Sequence, residues 1–136
     1  MKRLLSLLFV LLSGLASGQV VADSSAGVLT ERHYGNVAYL SGGVGEEELE
    51  AIRASERNFN VKLLFAERDG AYLGGVEVLL INAAGDTVFE GQSLGPFLLL
   101  RLPGGSYEVR ASANGEIRKG RLSVTAKGRH AAVFRW

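Results

Sequence analysis

Hydrophobic and polar positions alternate most cleanly in residues 106–114, SYEVRASAN. Tyr107, Val109, Ala111 and Ala113 fall on one side, and Glu108, Arg110, Ser112 and Asn114 on the other. A period of two marks a strand with one buried face. The same period places Val61, Leu63 and Phe65 together in 59–67, and Leu122 and Val124 together in 117–127. Phe134 and Trp136 sit on the parity opposite Arg135 in the closing segment 129–136, so they are expected to pack inward. Residues 76–82 form a run with little alternation, which predicts a central strand, and 96–102 read as another apolar strand. A further strand is expected at 87–91. Between these runs stand turn signals: RDG at 68–70, AAGD at 83–86, PGG at 103–105 and NGE at 114–116. Short strands separated by such turns predict a mainly β fold, a single antiparallel β-sandwich of about seven strands. No strand–helix–strand repeat is present, which argues against a doubly wound sheet.

One helix interrupts the pattern. Residues 46–58, EEELEAIRASERN, open with Glu46, Glu47 and Glu48, where carboxylates favour the exposed amides of a first turn. Leu49 and Ile52 supply a narrow apolar face. So short a helix is marginal alone, so it must dock through those two residues. The segment 23–45 reads as a lead-in, with a short edge strand near Val28 to Tyr34, a brief apolar run at Val37 to Leu40, and a glycine-rich turn, SGGVG, at 41–45. The expected organisation is therefore 1–22, 23–45, 46–58 and a sandwich module over 59–136, with the helix packed onto it as one domain.

The first 22 residues carry a different pattern. Lys2 and Arg3 precede an apolar run from Leu4 to Leu12 broken only by Ser6, and small residues follow. This is the order of a secretory signal peptide, with cleavage after Gly18 or after Ala22. The run is shorter than the ~20 residues of a bilayer span, so no stable transmembrane segment is expected after cleavage. The expected address is periplasmic or secreted. Absence of cysteine removes disulfides and thiolate metal sites. Removal of 1–22 turns the formal net charge of +1 into a slight acidic excess, with 13 basic and 14 acidic residues remaining. Those charges are uneven: residues 23–100 hold 5 basic and 12 acidic, residues 101–136 hold 8 basic and 2 acidic. A dipolar surface is the physical implication.

From Ala71 onward the chain resembles the carboxypeptidase regulatory-like domains of the transthyretin-like sandwich superfamily. The resemblance rests on Val76, Val78 and Ile81 in one strand, Gly85 and Asp86 in its turn, and the Leu-Pro-Gly-x-Tyr piece made by Leu102, Pro103, Gly105 and Tyr107. Gly104 stands where a second proline is often seen. It covers about half of the chain and implies a fold, with an accessory structural or binding role, rather than a chemistry. With no peptidase domain beside it, the regulatory name is not taken literally. The whole chain is also similar to small exported proteins of Proteobacteria that carry only that label.

Candidate chemistry is sparse. His33 and His130 are the only histidines and lie far apart in sequence, so no metal and no cofactor is expected. Gly42, Gly43 and Gly45 precede a helix, as in an anion cradle, but no Gly-Lys-Ser/Thr follows and three glutamates would repel phosphate. Ser41 and Ser106 lie near glycines outside any Gly-x-Ser-x-Gly elbow. Two surfaces are left as candidates for a partner. One is the glycine turn with the acidic helix start: Gly42, Gly43, Gly45, Glu46, Glu47 and Glu48. The competing one is a basic patch, formed if strand pairing gathers Arg110, Arg121 and Arg135. The expected function is a non-enzymatic binding or structural module of the cell envelope, its partner an envelope protein or glycan and not a nucleic acid. The alternative is a small envelope hydrolase or a protein inhibitor of one. Export has a direct check. The intact mass of protein from the periplasmic fraction is expected to correspond to a chain starting at Gln19 or Asp23. A full-length cytoplasmic species as the only product would overturn it.

Overall fold

The computed structural model describes residues 29–136; the signal peptide expected at 1–22 and its two cleavage points lie outside the described residues. The described residues are mainly β, with nine strands in two sheets and one short helix. The strands are β1 (Arg32–Tyr34), β2 (Val37–Gly42), β3 (Val61–Ala66), β4 (Glu77–Asn82), β5 (Thr87–Gln92), β6 (Phe97–Leu100), β7 (Gly105–Ala113), β8 (Glu116–Val124) and β9 (His130–Arg135). The larger sheet has the order β1-β2-β6-β3-β9 and the smaller one β5-β4-β7-β8.

The alternations read from sequence decide what lies between the sheets. Leu63 and Phe65 of β3, Val78 and Leu80 of β4, Leu98 and Leu100 of β6, and Val109 and Ala111 of β7 are almost wholly buried in one cluster. Phe134 joins it from β9, and Trp136 packs against it half-buried. At about 25 cal/mol per Å² of apolar surface removed from water, this layer is the main source of stability.

A second cluster lies on the far side of the larger sheet. Ala38 and Leu40 of β2, with Phe97 and Leu99 of β6, point away from the sandwich interior and meet Ile52 and Phe59. The helix α1 (Gly45–Ser55), followed by a single 3-10 turn at Glu56–Asn58, lies over them. Docking runs through Leu49 and Ile52, and Ile52 is 1% exposed. All four residues of β6 are therefore buried, alternately under the other sheet and under the helix.

Three expectations require correction. Nine strands replace about seven: the edge strand expected near Val28 to Tyr34 is present as β1, and the brief apolar run at Val37 to Leu40 is part of a full strand, β2. Val37 begins β2, an interior strand, and Ser41 and Gly42 continue its ladder opposite Leu98 and Phe97. The glycine-rich run ends that strand and starts the helix; it is not all turn. The fold is also not wholly antiparallel. β3 and β9 run side by side in parallel, Val61 opposite His130 through Ala66 opposite Arg135. The chain between them builds the second sheet and β6 of the first, and returns in the same direction, so no hairpin links them.

Two side chains complete ladders that the backbone leaves open. Asn60 stands just before β3. Its Oδ1 accepts from Leu102 N–H at 2.8 Å and its Nδ2 donates to Leu102 C=O at 2.7 Å, so one amide stands in for a strand residue. The next residue is Pro103, which has no N–H to pair. Tyr107, 6% exposed, donates from its hydroxyl to Pro103 C=O at 2.7 Å and closes the same loop from inside. Tyr107→Ala is expected to cost about 3–5 kcal/mol, the range for a buried large aromatic. Tyr107→Phe is expected to cost about 1 kcal/mol, the net worth of one hydrogen bond. Urea melts of both variants check the pair. A Tyr107→Ala change under about 1 kcal/mol would contradict the burial.

Candidate functional site

The glycine turn and acidic helix start come together in space, but packing accounts for most of them. Gly43 has φ +107°, and a Cβ there would stand 2.5 Å from Phe97 Cδ2. Gly42 and Gly95 meet backbone to backbone: a Cβ on Gly95 would lie 2.5 Å from Gly42 C. Ser41, also buried, donates to Phe97 C=O and accepts from Leu94 N–H, each at 2.9 Å. Its hydroxyl is a structural strut between β2 and the loop before β6. Glu48 turns back on the start of its own helix. Its Oε1 accepts from Gly43 N–H at 3.1 Å and Val44 N–H at 3.3 Å, satisfying amides that a helix start leaves orphaned. Of the three glutamates, only Glu46 and Glu47 stand fully exposed.

The basic patch is corrected by strand pairing. Arg110 and Arg121 do share the outer face of the smaller sheet, with Lys119 directly opposite Arg110. Arg135 belongs to β9 in the other sheet and points outward on the opposite side of the molecule from them. Glu108 stands opposite Arg121 and accepts from Arg110 Nε and Nη2, both at 3.3 Å. The hydrogen bond from Arg110 holds the Glu108 carboxyl below the ordinary carboxylate range, and the charges of Arg110, Lys119 and Arg121 add to it. Sequence parity aligned Arg110 with Arg121 correctly. It could not say which sheet the last strand joins.

Titratable groups elsewhere are scattered. His33 lies on β1 and His130 on β9, at opposite edges of the larger sheet. His130 Nε2 accepts from Thr125 N–H at 3.0 Å and braces the loop between β8 and β9. Among the described residues, no group of three or more histidines and carboxylates is placed to hold a metal ion. Among the same residues, no helix is long and apolar enough to cross a membrane.

A concavity lies at one end of the two sheets, where three connections converge. They are the β1–β2 turn, the β4–β5 turn and the loop between β6 and β7. The cleft holds about 560 Å³. Tyr34 and Tyr107 supply aromatic surface, and Asn36, Asn82, Thr87 and Ser106 supply polar side chains. None of the lining residues carries a charge. Asn82 is held by its own turn, its Oδ1 accepting from Ala84 N–H and Asp86 N–H. Tyr34 is 38% exposed and rests against Phe89, ring centroids 5.7 Å apart. Sequence reasoning read these positions as strand ends and as the turns at 83–86 and 103–105, with nothing to bring them together. Their convergence follows from β1 and β5 lying at the same margin of the two sheets, which no local pattern reports.

Compared with known proteins, the chain matches no family model and no curated sequence.

The capping role of Glu48 separates it from its neighbours. Glu48→Ala is expected to lower stability by about 1 kcal/mol, the usual cost of losing a cap. Glu46→Gln with Glu47→Gln is expected to change it by less than about 0.5 kcal/mol. Denaturant midpoints compare them directly, and equal effects would remove the distinction.

Proposed function

We propose that this chain is a non-catalytic, exported binding module of the cell envelope that takes an uncharged glycan in the cleft between its turns. The observation that carries the reading is a cleft of about 560 Å³ with no charged lining residue, in a chain where 21% of residues are charged. An uncharged lining suits a ligand whose groups are hydroxyls and C–H faces. Tyr34 offers a ring for a sugar face to stack on, and Asn36, Thr87 and Ser106 are exposed polar groups around it. Loops held by rigid sheets are where binding sites concentrate. The tethers beneath this one, Tyr107 to Pro103 and Asn82 to its turn, reduce the ordering cost of binding.

The resemblance to carboxypeptidase regulatory-like domains agrees with this reading, since such modules usually serve as accessories beside other chains. The transthyretin-like sandwich is the finer fold assignment that goes with it. The signal-like first residues supply the envelope address. No arrangement described above supplies a nucleophile with a neighbouring base, which leaves the hydrolase alternative without a supporting observation.

Saturation-transfer NMR with a panel of neutral and anionic oligosaccharides tests the proposal. A neutral oligosaccharide is expected to bind, with Tyr34→Ala weakening it about tenfold while the melting temperature holds. Binding that survives both Tyr34→Ala and Asn36→Ala, or that favours the anionic sugars, would sink the cleft as a neutral-glycan site.

A further inference from the structure

The outer face of the smaller sheet carries its own electrostatic complement. Strand pairing aligns Glu90, Leu79, Arg110 and Lys119 in one row across β5, β4, β7 and β8. A second row runs Gln92, Glu77, Ser112 and Ile117, and a third brings Ile81, Glu108 and Arg121 side by side. Inward-facing Val78, Leu80, Val109 and Leu122 fix the parity, so every residue of these rows points away from the core.

The charges separate across the face. The β4–β5 half holds two carboxylates, Glu77 and Glu90. The β7–β8 half holds three cations, Arg110, Lys119 and Arg121, against the single carboxylate Glu108. Arg110 is engaged with Glu108. Among the described residues, Glu77, Glu90, Lys119 and Arg121 have no ion-pair partner within 4 Å. Between the margins, β4 supplies an apolar floor: Leu79 and Ile81 are half-buried, and a groove of about 530 Å³ runs over Leu79 toward Ile117 on the β8 margin, 58% exposed.

From this arrangement we infer that the face is an interface for a second copy of the same chain. A two-fold axis parallel to the strands, placed between β4 and β7, exchanges the two halves. Glu90 of one copy then lies over Lys119 of the other, and the acidic margin meets the basic margin twice. An axis across the strands would set acid on acid. Charge pattern therefore selects one geometry, and it is the aligned packing that sheets adopt when they meet face to face. Four strands about 4.8 Å apart make a small face. The dimer is accordingly of the weak, salt-sensitive class. This inference uses the face of the smaller sheet and is independent of the cleft at its end.

The test uses the full coding sequence, purified as the expressing cell processes it, in sedimentation velocity over a concentration series. The expected result is a monomer–dimer equilibrium whose dissociation constant rises about tenfold between low and high salt. One double variant, Glu77→Lys with Glu90→Lys, makes both halves basic. Another, Lys119→Glu with Arg121→Glu, makes both acidic. Each alone is expected to be monomeric, with circular dichroism unchanged. Mixed one to one, they are expected to form a heterodimer. A monomeric wild type throughout, a dimer that either variant leaves intact, or a mixture that stays monomeric would overturn the inference.

Discussion

Everything in this molecule depends on β6 being buried on both sides. Phe97 and Leu99 point one way, Leu98 and Leu100 the other, and water reaches neither set. The smaller sheet covers one side. The other requires a lid, and α1 is that lid. It is short, and its apolar face amounts to little more than Ile52 and Leu49. Its stability therefore comes from what lies beneath it rather than from its own propensity. The glycines at its entry follow from the same constraint. To seat the helix on β6, the chain leaving β2 must pass against Phe97 and Gly95 with no room for a Cβ. Glu48 then closes the entry by holding the amides of Gly43 and Val44.

What sequence alone made legible was what a local period can express. The alternation at 106–114 gave the inward set of β7 correctly, and the same period served β3 and the end of β8. Leu102, Pro103 and Tyr107 marked a strand end whose tyrosine reaches back to the proline carbonyl. The helix and its docking residues were also readable. What stayed hidden was anything set by partner choice between distant segments. β2 was obscured because Ser41 and Gly42 resemble a turn. They pair as strand because Gly95, more than fifty residues later, leaves space beside them. Asn60 looked like an ordinary flanking residue. Its role exists only because Leu102 lies across from it.

The candidate sites divide along the same line. Arg110 and Arg121 were joined correctly because one hairpin contains both. Arg135 was misplaced because β9 pairs with β3 in the larger sheet; β8 meets it only from the other sheet, where Arg118 donates to Arg135 C=O. The glycine-rich turn stood as a candidate partner surface; close packing explains Gly42 and Gly43, and a φ of +81° explains Gly45. The cleft at the end of the sheets had no sequence signal beyond the turns at 83–86 and 103–105, and the β1–β2 connection stood inside the lead-in. Its uncharged lining becomes visible only when the turns are seen together.

The parallel pairing of β3 with β9 bears on how the chain reaches its final state. Nearly seventy residues separate Val61 from its partner His130. A hairpin such as β7–β8 can close as soon as its turn exists. The β3 edge has no such neighbour in sequence and must wait for a segment synthesised long afterwards. Until then, Leu63 and Phe65 lack the cover of Phe134, and the backbone of β3 offers an unsatisfied row of amides and carbonyls. Loop closure over that distance is slow and comes late. The lagging closure makes arrival of the last strand the step that commits the larger sheet.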